Sequence, residues 1–209
     1  WALNAGVPFI YASSAAIYGD GKLGFSDDDL RCEHYRPLNM YGFSKQLFDN
    51  WVIRNRLQNR IAGLRFFNVF GPNEAHKEEA GMASVVYKAF GQAVRGGKVK
   101  LFKSANPQYK DGEQKRDFIY VKDCAKVCCW LLENSDVNGI FNLGTAKART
   151  WNDLVAALFA ALNQDLQVEY IDMPAKLVKQ YQYFTEADMG KLRAVGYDMP
   201  MTGLEDAVA

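Results

Sequence analysis

The 209-residue chain is 49% apolar and 23% charged with a net charge of +1, ordinary values for a globular protein long enough to bury a sizeable core. That balance excludes the basic footprint of a nucleic-acid binder and an acidic tail. No apolar run approaches the roughly 18 residues a membrane span needs, and no signal peptide is visible.

Trp1–Gly6 reads as the tail of a helix stopped at glycine, and Thr202–Ala209 as a helix barely begun. Both ends look cut, so a fragment of a longer product is expected. Val7–Ser14 is a short apolar run suited to a buried parallel strand. It ends in Ser13-Ser14-Ala-Ala-Ile-Tyr-Gly19, small polar residues at the strand end where open α/β sheets place their chemistry. Residues 20–39 read as a loop with a short helix over Asp27–Arg31 and a solvated His34. A helix is expected from Tyr41 to about Leu57, with Leu47, Phe48, Trp51 and Val52 as its core stripe. Tyr41 and Lys45 stand four residues apart at its start, on one face and one turn apart. A cation beside a phenol favours the ionised form, so the pair suits acid/base work near neutral pH.

Ile61–Phe70 reads as the next strand, closed by Gly71-Pro72, and 73–79 as a polar loop. Met82–Arg95 has the spacing of an amphipathic helix. Strands are expected over Lys98–Lys103 and Arg116–Val121, separated by a Pro/Gly/charge-rich loop. Asp123 is placed as N-cap of a helix reaching about Asn134. That helix carries Cys124, Cys128 and Cys129. With Cys32 these lack paired C-x-x-C spacing and read as buried free thiols in a reducing cytoplasm, not a metal site. Gly139–Gly144 is a glycine-bounded strand. Thr150-Trp-Asn-Asp153 is a capping box opening the helix Trp151–Leu162. Gln167–Ile171 reads as a strand, and Thr185–Ala194 as a capped helix.

Strands alternating with helices imply an α/β fold, a doubly wound parallel sheet of Rossmann type. Its front half is expected to be missing, and a smaller mixed α/β substrate subdomain accompanies it. Residues 1–72 and about 116–144 are assigned to the first unit, about 73–115 and 145–200 to the second.

The ordered set SSAAIYG, YGFSK, RFFNVFGP, RDFIYVKD and GIFNLG resembles the extended short-chain dehydrogenase/reductases that act on nucleotide sugars, along the entire chain. The resemblance implies that Ser14 hydrogen-bonds the reacting oxygen, Tyr41 exchanges its proton, and Lys45 binds the nicotinamide ribose. No Gly-rich fingerprint opens a first βα turn here. At roughly 30 residues per βαβ unit, about 100 residues are expected upstream. Ala15 and Ala16 stand where the dehydratases of this family carry an Asp/Glu pair, which disfavours dehydration.

Asn68-Val-Phe-Gly-Pro-Asn-Glu-Ala-His-Lys77, then Gly81-Met-Ala-Ser84, and Gln180-Tyr-Gln-Tyr-Phe-Thr-Glu-Ala-Asp188 are similar to the ADP-heptose 6-epimerase branch. That likeness implies a cytoplasmic, homo-oligomeric enzyme using NADP to invert C6 of an ADP-heptose for lipopolysaccharide precursor synthesis. Tyr41 and Lys77 would serve the two substrate orientations. It also places Val69 and Lys77 at the cofactor, and Asn68, Gly81, Lys88, Phe102, Lys103, Ser104, Ala105, Arg116 and Tyr181 at the substrate. Gly81 stands where Ser is usual and Lys88 where His is usual. Arg116 would clamp the diphosphate, the alternative being an ion pair with Asp117. Lys77 taken alone is a solvated loop lysine. Another nucleotide-sugar epimerase or reductase, or an inactive truncated domain, are the competing readings.

Overall fold

The computed structural model describes residues 1–178 and 180–209. In chain order the elements are α1 (Ala2–Ala5), β1 (Ile10–Ser14), α2 (Met40–Arg54), β2 (Ala62–Phe66), β3 (Asn68–Phe70), α3 (Val85–Gly96), β4 (Val99–Phe102), β5 (Lys115–Tyr120), α4 (Val121–Glu133), β6 (Gly139–Leu143), β7 (Ala148–Thr150), α5 (Trp151–Ala161), β8 (Val168–Ile171), α6 (Ala175–Val178), α7 (Gly190–Ala194) and α8 (Leu204–Val208). Strands β1, β2 and β6 lie side by side and parallel, with Ser13 opposite Arg65 and Arg65 opposite Asn142. β3 pairs parallel with β5, which pairs antiparallel with β7, and β4 pairs parallel with β8.

The run expected as one strand over Ile61–Phe70 is two. The Phe67 amide still donates to Leu143 in the first sheet, and the Val69 amide then folds back onto the Phe67 carbonyl. This i→i+2 step carries the chain into the second sheet. Periodicity could not reveal it, because the apolar run continues across the step with no Gly or Pro there to mark a break.

Two larger apolar cores follow from this step, beside a small cluster of Val52, Ile61 and Ile140 under α2. One packs Cys124, Val127 and Leu131 of α4, together with Ala187, Met189, Leu192 and Tyr197, against Leu64, Phe141 and Leu143. The other gathers α3, β4, α5 and Leu204 around Phe70 and Phe118. The capping box at Thr150 and Asp153 is present with both of its hydrogen bonds.

Four local expectations are corrected. Of the α2 stripe, Val52 is buried, but Leu47 and Trp51 are about half exposed and Phe48 is 40% exposed. The helix turns Gly42, Gln46, Asp49 and Val52 inward because the sheet face it meets is polar. It also stops at Arg54, where the Asn55 amide nitrogen Nδ2 donates to the Trp51 carbonyl and Arg56 adopts φ 56°. Asp123 is not the cap of α4, which begins at Val121. Its carboxylate instead accepts from the Thr202 amide at 2.6 Å and hydroxyl at 3.0 Å, and from Lys126. Residues 185–189 are irregular, and only Gly190–Ala194 is helical. Thr185 faces the Asp117 amide rather than a helix end. All four cysteines are free, with Cys32 and Cys124 buried, Cys128 half-buried and Cys129 exposed. No described helix is long and apolar enough to cross a membrane, and no described cluster of His, Cys, Asp or Glu could hold a metal.

Candidate active site

The site is built on polar residues that the sheet holds in register. Ser13, Arg65 and Asn142 project from adjacent strands on one face, and all three are buried. Asp49 of α2 closes over them. Its carboxylate accepts from Tyr11 at 3.0 Å, from Ser13 at 2.9 Å and from Arg65 Nε at 2.8 Å. Arg65 also donates to the Tyr18 hydroxyl, which donates to Asn142 at 2.6 Å. Arg65 and Asp49 are fully excluded from solvent. A buried charge this well partnered costs little until one partner is removed. Asp49 therefore locks α2 onto β1 and β2.

Lys45, one turn before Asp49, donates to the Ala12 carbonyl at 2.8 Å, and its ammonium lies 5.8 Å from the Tyr41 ring centroid. An ammonium carries three donors, so two remain for a ligand. Tyr41 is 57% exposed and open to one. Its turn sits directly on the 3-10 turn Ala15–Tyr18 that follows β1. A Cβ at Gly42 would lie 2.6 Å from the Ala16 carbonyl oxygen, so only glycine permits that approach. Ser14 Oγ accepts from the Ala16 amide at 3.2 Å, which leaves its own proton free to donate outward. A cleft of about 310 Å³ between Tyr11, Ala12, Ser13, Ser44, Lys45 and Phe48 lies beside this group.

Asn68 and Val69 line a second cleft of about 220 Å³ with Ser84, Val85, Phe118 and Trp151. Next to it, Arg116 is 6% exposed, with its guanidinium carbon 5.0 Å from the Tyr181 ring centroid and 5.6 Å from that of Trp151. Trp151 Nε1 donates to the Tyr181 hydroxyl at 2.8 Å, fixing both rings. Among the described residues the guanidinium donates one hydrogen bond, to the Lys115 carbonyl, and no carboxylate pairs with it. Burial accordingly pushes the Arg116 guanidinium below its ordinary value. An ion pair with Asp117 is excluded. That carboxylate faces the other way and is filled by the Thr145 amide and hydroxyl and the Ala146 and Ala187 amides.

Lys77 follows in a 3-10 turn over Ala75–Lys77 with its ammonium 4.0 Å from Glu74. It makes no hydrogen bond to Tyr41; the two stand on separate elements. Gly81 and Lys88 meet, the lysine donating to the Gly81 carbonyl at 2.6 Å. Phe102 is half-buried, and Lys103 is drawn into an ion pair with Asp172 at 3.0 Å. Ser104 turns its hydroxyl to the Asn106 carbonyl, and Ala105 is exposed beside it. Gly19-Asp-Gly-Lys-Leu-Gly24 has the spacing of a dinucleotide fingerprint, but no helix opens there to receive a diphosphate. Gly19 is needed because a Cβ would collide with the Arg36 carbonyl.

The sequence reading missed Asp49, Arg65, Glu74 and Trp151. An acid four residues beyond Lys45 on an inward helix face was the available signal for Asp49. Trp151 fits a core stripe equally well, and nothing local marks its ring as the base for Arg116.

A parallel sheet with a Tyr-x-x-x-Lys helix clamped to the end of β1, and a cleft past β3, defines a Rossmann-type α/β fold. The model of the NAD dependent epimerase/dehydratase family matches residues 1–144, and the chain belongs to that family. It is 57% identical over 206 residues to the ADP-L-glycero-D-manno-heptose-6-epimerase of Nitratidesulfovibrio vulgaris strain Hildenborough, covering 99% of this chain and 63% of that protein. It is 46% identical over 211 residues to the same-named protein of Fusobacterium nucleatum, covering 97% and 63%. The crystal structure of the Helicobacter pylori ADP-L-glycero-D-manno-heptose-6-epimerase superposes with a TM-score of 0.77 at 31% identity, over 99% of this chain and 59% of that one. The Thermus thermophilus UDP-glucose 4-epimerase complex with NAD gives 0.75 at 25% identity, over 99% and 63%. The chain thus spans about 63% of the length of the curated relatives it matches.

Proposed function

We propose that this chain carries the catalytic and substrate-binding part of an enzyme that inverts C6 of an ADP-heptose, interconverting the D-glycero and L-glycero forms. Residues 1–72 and about 116–144 belong in this reading to the cofactor-binding unit, and about 73–115 and 145–200 to the substrate-binding unit. The observation that carries it is Arg116, a buried guanidinium held between two rings without a carboxylate. Burying an unpaired charge is expensive, and the fork of a guanidinium matches diphosphate oxygens. Tyr181 would close over the same group, and residues 102–105 would edge the nucleotide. The similarity to the heptose epimerases of Nitratidesulfovibrio vulgaris and Fusobacterium nucleatum favours ADP-heptose over other nucleotide sugars.

A bound nicotinamide, NADP in this reading, would accept a hydride from C6 and return it to the opposite face of the carbonyl carbon. The residues fit such a group: Lys45 has two donors free for ribose hydroxyls, and a cleft opens beside it. Val69 and Lys77 would flank the ring. Ser14 would donate to the reacting oxygen. Tyr41 would take the hydroxyl proton in one substrate orientation, and Lys77 would exchange it in the other after rotation about the C5–C6 bond presents the opposite face of the C6 ketone. Asn68, with Gly81 and Lys88, would hold the sugar. The enzyme would be a cytoplasmic homo-oligomer supplying lipopolysaccharide precursors.

The test uses the full-length product of the gene with each C6 epimer of ADP-heptose, followed by proton NMR. Tyr41→Phe should retain partial chemistry and Tyr41→Phe with Lys77→Met none. Turnover of UDP-sugars but not ADP-heptose would favour a different epimerase of the family. Full epimerisation by the double variant would refute the two-group assignment.

A further inference from the structure

We infer that Glu74 is the positioning residue for Lys77, holding its ammonium in place for one of the two substrate orientations. This rests on the two-group reading above.

Glu74 lies on a polar loop, yet is only 6% exposed. Its carboxylate accepts from the Ser84 amide at 2.7 Å and the Gly71 amide at 3.3 Å, and stands 4.0 Å from the Lys77 ammonium. These partners come from three places. Gly71 ends the segment that carries Asn68 and Val69, Ser84 caps α3, and Lys77 rides on the turn between them. Ser84 also lines the cleft that contains Asn68 and Val69. Gly71 has φ +151°, and a Cβ there would strike Val121, so its amide is aimed at Glu74 by a backbone shape that glycine alone supplies.

The other side-chain ties of this loop are outside, among them an ion pair of Glu78 with Arg95 at 3.9 Å. Tyr87 donates to Glu78 at 3.1 Å and Lys88 to Gly81 at 2.6 Å, both exposed. They hold the far end of the loop against α3 and leave Lys77 untouched. Glu74 is the ion-pair partner of Lys77 among the described residues. A carboxylate that ties the segment carrying Asn68 and Val69 to the start of α3, and pairs with the ammonium on the turn between them, sets where that ammonium meets a substrate oxygen. A group misplaced by about 1 Å can cost about a hundredfold in rate. Tyr41 is on α2 and is held by Gly42, Lys45 and Asp49, so it does not depend on Glu74.

The experiment is single-turnover reduction of the enzyme-bound nicotinamide in the full-length enzyme, started from each C6 epimer in turn. Glu74→Gln keeps the shape and one acceptor but removes the charge. It should slow reduction about tenfold from the epimer whose oxidation Lys77→Met abolishes, with the other epimer and both KM values within about twofold. Equal loss from both epimers, or loss from neither, overturns the proposal, since a simple loop brace would not choose an orientation. Tyr87→Phe cuts an exposed tie and should leave both directions within about twofold; a one-sided loss there would assign the effect to the loop and overturn it. Should Glu74→Gln fail to fold, Glu74→Asp, with the charge kept and the reach shortened, must give the same one-sided loss. Wild-type enzyme that reduces its nicotinamide with neither epimer refutes the parent reading, an outcome distinct from any of these.

Discussion

At the scale of single residues the site depends on where side chains are absent or confined as much as on where they react. Gly42 lets the Tyr41 turn rest against Ala16, so Gly42→Ala forces the helix start away from Ser14. We expect a loss of about 1–3 kcal/mol in stability and a fall in turnover larger than the change in KM. Urea unfolding beside steady-state kinetics of the full-length enzyme checks both. The thiols give a second residue-scale prediction. Burial pushes Cys32 up to about 11 and Cys124 up to about 12, and it also raises half-buried Cys128. A thiol reagent near pH 8 should modify Cys129 rapidly and Cys128 slowly, and reach Cys32 and Cys124 only after denaturation. Peptide mapping of the modified protein separates these outcomes. Cys129 was expected to be buried with its neighbours. Helical spacing turns it to the outside of α4, a position that apolar composition alone does not disclose.

At the scale of elements, α2 is secured by a buried ion pair as well as by the apolar contact of Val52 with Ile61 and Ile140. Asp49→Asn leaves Arg65 buried without its counter-ion and should cost about 3–5 kcal/mol. Removing both partners with apolar residues of similar volume should cost less than the sum of the single losses, which a double-mutant cycle reads directly. The C-terminal segment is held by Asp123 in a similar way. Burial alone would raise its carboxyl, but Lys126 and the amide and hydroxyl of Thr202 outweigh that and hold it below its ordinary 3.8. A group with a lowered folded value contributes stability above its unfolded value and loses it as pH falls through the folded one. Acidification below about pH 4 should therefore release this contribution, and Asp123→Asn should lack that part of the acid slope. Unfolding series at stepped pH compare the two proteins. The elements themselves were largely legible in sequence. The strand–helix alternation, the capping box and the Tyr-x-x-x-Lys turn are local patterns, and each stands where its residues placed it. What was not legible is the side each helix turns inward. α2 offers an apolar stripe that the fold leaves half exposed, because the sheet beneath presents Ser13, Arg65 and Asn142. Length of the final helices was equally hidden, since Thr185 is claimed by a neighbouring strand.

At the scale of the whole molecule, the two cores are joined by continuous chain through Phe67 and by Asp117, which ties β5 to the turn after β6 and to the segment at Ala187. A domain so stitched should unfold in one step. Calorimetric and near-ultraviolet transitions should coincide, and Asp117→Ala should part them by freeing one core from the other. Taken by itself, the sequence determined the α/β class, most of the order of elements and the Tyr41–Lys45 pair, because these rest on spacing along the chain, while the candidate role of Arg116 came from the family resemblance that the motif order carries. The tertiary structure alone decided that Arg116 is buried between Trp151 and Tyr181 without a carboxylate, that Asp49 and Arg65 brace Ser13 from behind, and that Glu74 gathers Gly71, Ser84 and Lys77. The reason is physical: desolvation and the pairing of charge depend on which distant segments exclude water from a group, and no local pattern encodes that.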